Sequence, residues 1–229
     1  WLQCLKRTLA IWLLLKCLIW VSPHSLQVIS KNHNSPLHQE QLDMAQRMAM
    51  SAVKERPAFL DRPEFQALRD TISFAEGTYD DRVGAPNYTV RYGDKNDEGT
   101  GLKGNQGNGS LDTTKPHPGD ARPSPWGSSY SSAASGAHQW MPDTWNEMND
   151  GNNVAMTPQN QNTALHKHLV ERNGYNFDQP FDGQVHKLAP TWASFPKQNG
   201  ASYHGQPVKQ KQVLLDHYNK RLEYYTRPQ

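Results

Sequence analysis

Glu76 is the side chain in this sequence whose position best suits acid–base chemistry. The segment Asp61-Arg62-Pro63-Glu64 reads as a helix start. Asp61 can cap it, Glu64 three residues on completes a capping box, and Pro63 is tolerated in the first turn. Phe65, Leu68, Ile72 and Ala75 follow at helical spacing, and Gly77 offers a stop. At about 100° per residue, Phe65, Leu68 and Ile72 fall near about 0°, −60° and −20° around the helix, and Glu76 near about +20°. Glu76 therefore lies in line with the core-facing stripe, in the last turn. Burial and the negative end of the helix both disfavour its charged form, so its pKa rises. A carboxylic acid still protonated near neutrality can protonate a glycosidic leaving oxygen. The plain alternative is that Glu76 bends to solvent or bonds a neighbouring backbone group, and position alone leaves both readings open.

Other chemistry-bearing residues are less well placed. Asp80 and Asp81 follow in Thr78-Tyr79-Asp80-Asp81-Arg82. Nothing fixes either across a scissile bond, and Arg82 can pair with one of them at the surface. Asp94-Lys95-Asn96-Asp97-Glu98-Gly99 looks like the start of a calcium loop, but the twelfth position is Asn105 rather than a bidentate Glu. A solvated turn, and no metal or other cofactor, is expected. His138 and Gln139 either face a cleft or support a loop as a polar pair. His166 and His168 diverge on a helix and are expected to be solvated. Trp192 reads as core.

The elements that must hold these residues are mostly helical. Ser131 or Ser132 can cap a short helix carrying Gly136 to Trp140. Pro142 opens the next, with Trp145 and Met148 at core spacing. Thr157-Pro158 is another cap-then-proline start, Ala164, Leu165 and Leu169 form its apolar face, and Asn173-Gly174 ends it. Pro207 starts a last helix, with Val208, Leu214, Leu215, Tyr218, Leu222 and Tyr225 on its buried side. Residues 84–129 hold most of the Gly, Pro, Asn and Asp, as a loop-rich β region would. Helices around such a region make an α+β layout, with a cleft expected between a helical lobe and a small β-lobe.

The chain of 229 residues is long enough for one sizeable core plus a tail. Its seven Trp and nine Tyr argue against disorder. With 24 basic and 22 acidic residues the formal net charge is +2, too balanced for a nucleic-acid partner, whereas a neutral polar carbohydrate fits. Both cysteines, Cys4 and Cys17, lie near the N-terminus, so no disulfide staples the main domain. Residues 1–22 place Lys6 and Arg7 before an apolar run of about 13 residues broken by Lys16, short for a membrane span and suited to an export signal or anchor that touches the membrane. Residues 23–57 read as a linker or leading helix, from about Pro36 to Glu55. Residues 58–229 form the main domain, expected to act outside the cytoplasm as a monomer.

Three sequence blocks carry a family resemblance. Ile72-Ser73-Phe74-Ala75-Glu76-Gly77-Thr78 resembles the catalytic Glu-Gly-Thr segment of the lambda-type phage lysozymes and related bacterial muramidases. Tyr88-Thr89-Val90-Arg91-Tyr92-Gly93 is similar to the first strand of their β-lobe, and His117-Pro118 to the His-Pro that follows. The run from Tyr130 to Trp145 is similar to their Ser-Ser-Ala-Ala-Gly-x-Tyr-Gln-Phe-x-Pro-x-Thr-Trp signature, with His138 where Tyr is usual. Trp192-Ala193-Ser194-Phe195-Pro196 resembles their Trp-Ala-Ser-Leu-Pro stretch. The resemblance covers about residues 58–229. It implies a lysozyme-like fold, peptidoglycan glycan strands as substrate, and Glu76 as the catalytic residue. Thr78, Tyr79, Tyr130, Ser132, His138 and Gln139 are then expected to bind substrate. Members of that family work with a single Glu that cleaves the glycosidic bond and closes a 1,6-anhydro ring. A lytic transglycosylase is therefore expected ahead of a hydrolytic muramidase, and ahead of a non-catalytic glycan-binding or structural protein.

Overall fold

The helix predicted before Glu76 forms over Pro63–Ala75 (α1). Its start differs from expectation. Asp61 ends a short 3-10 turn, Ala58–Asp61, and Arg62 takes the N-cap position without a side-chain cap. Pro63 explains this, because the residue before a proline is pushed into extended conformation, and Arg62 sits at φ −65°, ψ 124°. Glu64 faces Arg62 at 3.5 Å instead of closing a capping box.

This computed structural model describes residues 43–44, 57–94, 109–124, 129–205 and 207–227. The apolar segment 1–22 and nearly all of the leading helix expected over 23–57 lie outside the described residues. Among those described, no helix is long and apolar enough to cross a membrane. Residues 57–229 make up one unit. Further helices run Pro142–Met148 (α2), Pro158–Lys167 (α3) and Lys211–Thr226 (α4). A π turn over His168–Arg172 extends α3, and 3-10 turns cover Phe181–Gly183 and Val185–Leu188. The β structure is slight. Tyr79–Asp80 (β1) pairs antiparallel with Ala85–Pro86 (β2), and Arg122–Pro123 (β3) with Ser131–Ser132 (β4). The expected strand over 88–93 contributes only an isolated bridge, Arg91 to Ser135.

The core gathers the faces that the periodicity marked. Phe65, Leu68 and Ile72 of α1 are fully buried with Trp145, Leu165, Leu169, Leu188, Phe195 and Leu214. Each such side chain contributes about 1.5–3 kcal/mol by leaving water. Thr157 caps α3 by accepting from the Asn160 N–H at 3.2 Å, as expected. The last helix begins at Lys211, four residues later than Pro207 suggested: Gln210, its N-cap, is still extended at φ −61°, ψ 139°, and the Lys209 N–H before it bonds the Ser194 carbonyl at 2.9 Å. His168 is buried, not solvated, and its Nε2 meets Thr191 Oγ1 at 2.9 Å. His166 stacks on Phe59 at 3.8 Å. His168 follows Ala164 and Leu165 by four and three residues and so shares their buried face, while His166 turns away from it and packs on Phe59.

The second face of α1 is polar and equally buried. Asp70 has no exposed surface. Arg69 donates to its Oδ1 at 2.9 and 2.7 Å, while Arg221 Nε and the Tyr225 hydroxyl of α4 donate to its Oδ2 at 2.7 and 2.8 Å. This network fastens α4 across α1.

Candidate active site

Glu76 is the C-cap of α1, at φ −79°, ψ −1°. The chain stops there in a Schellman motif: the Gly77 N–H bonds the Phe74 carbonyl at 3.3 Å and the Thr78 N–H bonds that of Ser73 at 2.8 Å. Gly77 supplies the left-handed φ of 73° that this ending needs. Two hydroxyls flanking Glu76 then reach a single acceptor. Ser73 Oγ donates to the Ala137 carbonyl at 3.1 Å, and Thr78 Oγ1 donates to the same oxygen. The helix end that carries Glu76 is thereby fixed to the segment 133–140.

That segment is a tight turn and not the short helix expected. Ser135 and Trp140 exchange backbone hydrogen bonds at 3.0 and 2.8 Å, and Gly136 and Gln139 both take positive φ, 79° and 52°. Gln161 fills the turn from behind. Its Oε1 accepts from the Ala137 N–H at 2.9 Å, and its Nε2 donates to the Met156 and Tyr88 carbonyls at 2.7 and 3.1 Å. A Cβ at position 136 would lie 2.2 Å from Gln161 Oε1. We expect Gly136→Ala to cost about 2 kcal/mol or more, from a strained φ plus the displaced amide. Urea unfolding of both proteins measures it; equal midpoints would show that the turn tolerates a side chain.

The carboxyl of Glu76 is densely surrounded by protein although part of the residue remains open to solvent. Burial pushes its pKa up to about 7, against the smaller opposing effects of a hydrogen bond from Ser194 and the positive charge of Lys209. Ser194 Oγ donates to Glu76 Oε1 at 2.5 Å. Lys209 Nζ lies 4.8 Å over the Phe74 ring, whose neighbour on α4 is the parallel ring of His217 at 4.3 Å. Neither Ser194 nor Lys209 stands out by spacing. Ser194 could have been found only within the Trp192-to-Pro196 block.

The next carboxylate along the chain is committed elsewhere. Asp80 accepts from the Arg82 N–H at 2.9 Å and from its guanidinium at 3.2 and 3.1 Å, and this bonding holds its pKa below the ordinary carboxylate value. Asp81 is exposed. Asp94, the first residue of the suspected calcium loop, is bound by Arg122 Nη1 at 2.5 Å and by the Ser110 hydroxyl at 2.7 Å. Among the described residues, no group of three or more His, Cys, Asp or Glu could hold a metal ion.

A model of the family described as Endolysin matches residues 66–223. The chain belongs to the endolysin family. Among solved structures it is similar to bacteriophage lambda lysozyme complexed with a chitohexasaccharide. The TM-score is 0.53 at 21% identity, covering 70% of this chain and 94% of that one. At that identity the likeness speaks for the fold, which is lysozyme-like α+β. No curated protein matches the chain. As a lysozyme-like member of the endolysin family, the protein cleaves peptidoglycan, and its target is the cell wall, outside the cytoplasm.

Four of the residues expected to bind substrate are buried. Thr78 is fully buried with its hydroxyl spent on backbone carbonyls. Tyr79 is buried, its ring edge-on to His217 and under the Arg221 guanidinium. Ser132 is buried and accepts from the Ala134 N–H at 3.1 Å. His138 is fully buried against Tyr88 and Trp140, and burial drives its pKa down to about 3, so it is a neutral ring. What His138 offers the site comes from its backbone. Its carbonyl accepts from Trp192 Nε1 at 3.1 Å, which ties the 133–140 turn to the loop that carries Ser194. These four residues pack beneath the site; Thr78 and His138 have no exposed surface, and Tyr79 and Ser132 have little. Tyr130 is well exposed, with its ring edge-on to Tyr92 at 5.8 Å, and Gln139 is half-buried, its Nε2 donating to the Gly136 carbonyl at 3.0 Å.

Proposed function

We propose that the protein is a lytic transglycosylase that breaks the MurNAc–GlcNAc bond of peptidoglycan with Glu76 acting alone, first as acid and then as base. The observation that carries this reading is the contrast between two neighbouring carboxyls. Glu76 is held protonated near neutrality by burial, whereas Asp80 is held ionised by Arg82. Glu76 gives its proton to the bridging oxygen as the glycosidic bond breaks. The same carboxylate then takes the proton of the muramic acid 6-hydroxyl, whose oxygen closes on C1 to form a 1,6-anhydro ring. One group can serve both steps because its pKa lies near the working pH. A hydrolase needs a second group, to form a covalent intermediate or to activate water. Asp80, neutralised by Arg82, and Asp81, exposed, are poor candidates for that role.

Tyr130 and Gln139 are the side chains we assign to substrate contact, with no cofactor and one copy of the chain sufficing. The substrate lies outside the cytoplasm, which gives the basic-then-apolar order of residues 1–22 a purpose in export or anchoring. Asp80→Asn and Asp81→Asn are each expected to keep at least about half of the wild-type rate on purified cell walls, since neither acts in the reaction. A loss of about 10²-fold or more in either variant, without loss of folding, would mean that a second carboxylate takes part.

A further inference from the structure

We infer that Ser194 is a positioning residue that fixes which oxygen of Glu76 carries the reactive proton. The inference rests on the single-acid reading of Glu76. A carboxyl group has two oxygens that exchange roles when it rotates, and only one arrangement aims a proton at the substrate. In this protein Oε1 accepts a short hydrogen bond from Ser194 Oγ, 2.5 Å. An oxygen engaged as an acceptor is the carbonyl oxygen of the neutral acid, so the proton resides on Oε2. Oε2 then delivers the proton to the bridging oxygen and recovers one from the 6-hydroxyl, while the Ser194 bond to Oε1 persists through both steps. When Glu76 is ionised in between, that bond becomes charge-assisted and strengthens.

Ser194 can do this because it is itself held. Phe195, which follows it, and Trp192, two residues before it, are buried in the core. The Phe195 N–H bonds the Trp192 carbonyl at 3.0 Å, and the Ser194 carbonyl accepts from the Lys209 N–H at 2.9 Å. Trp192 is further anchored through Nε1 to the His138 carbonyl. The hydroxyl thus projects from a loop fastened on both sides, and Glu76 projects from a helix end fastened by Ser73 and Thr78. A rotamer held from two rigid elements is the arrangement that proton transfer at a fixed geometry requires.

The test compares Ser194→Ala, Ser194→Thr and Glu76→Gln as full-length chains, with kcat and KM on soluble glycan fragments across pH and thermal unfolding alongside. Ser194→Ala is expected to lower kcat by about 10- to 100-fold with KM little changed. Its alkaline activity limb should move to higher pH, because losing a donor to the carboxylate disfavours the charged form. Ser194→Thr, which keeps a hydroxyl, should restore both. Should Ser194→Ala not fold, Ser194→Cys, a weak donor, takes its place with the same expected direction. A wild-type kcat, or a lowered kcat with an unmoved alkaline limb, overturns the inference. If Glu76→Gln is inactive while the Ser194 variants behave so, Ser194 alone is misassigned; if Glu76→Gln stays active, the reading of Glu76 itself is wrong.

Discussion

Glu76→Gln should lose about 10³-fold or more of the cell-wall cleavage rate and, above pH 7, gain thermal stability. The two effects have one cause. Gln keeps the shape of Glu and can still accept from Ser194, but it cannot give and recover a proton. The stability change follows from linkage. The carboxyl pKa rises from the ordinary 4.5 to about 7 in the folded chain. The folded state therefore binds more protons than the unfolded state between those values. Its stabilising contribution is fully present below about pH 4.5 and is lost as pH rises through about 7. Gln escapes that loss. A shift of this size corresponds to roughly 3 kcal/mol at most; solvent reaching part of the residue reduces it, so a gain of about 1–2 kcal/mol at pH 8 and none at pH 4 is expected. Unfolding curves at the two pH values check it. An equal gain at both would mean that the substitution stabilises by packing and that the carboxyl is not strained by burial.

Asp70→Ala should be the most destabilising single change outside the apolar core. It would strip Arg69 and Arg221 of the carboxylate between them, in a place where Asp70 itself has no exposed surface. Breaking a buried charge network from one side costs about 3–5 kcal/mol, a large share of a typical domain's stability. The loss comes from the orphaned cations, so Asp70→Ala combined with Arg221→Met should recover part of it. Urea unfolding of the single and double variants measures both values. A single-variant loss below about 1 kcal/mol would mean that water replaces the carboxylate and that α4 is held by apolar contacts alone.

How much of this was legible in the sequence depends on the kind of signal. The stripe of Phe65, Leu68 and Ile72 marked the core face of α1, and Gly77 marked its end, because apolar periodicity and a left-handed stop are local properties. The proline-led starts of α2 and α3 were legible for the same reason. Asp70 was not, since its partners Arg221 and Tyr225 lie some 150 residues away in sequence. The turn at 133–140 also escaped. Its left-handed residues are Gly136 and Gln139, and nothing in the identity of Gln announces a φ of 52°. The site divides in the same way. Helical geometry put Glu76 on the core-facing stripe, where burial raises its pKa, but it was the resemblance of the Glu-Gly-Thr segment that singled it out. Thr78, Tyr79, Ser132 and His138 were carried by motif position, which does not distinguish a side chain facing substrate from one that packs beneath it. Ser194 and Lys209 come to Glu76 through tertiary structure alone.

The central claim is that one carboxyl performs both proton transfers, and the products report on it most directly. Peptidoglycan digested by the wild-type protein should release muropeptides ending in 1,6-anhydro-muramic acid. By mass they should be lighter by one molecule of water than their hydrolysed counterparts, and borohydride should leave them unreduced because they have no reducing end. Muropeptides with reducible ends, at the mass of the hydrolysed product, would contradict the account and require a water-activating or nucleophilic group beside Glu76.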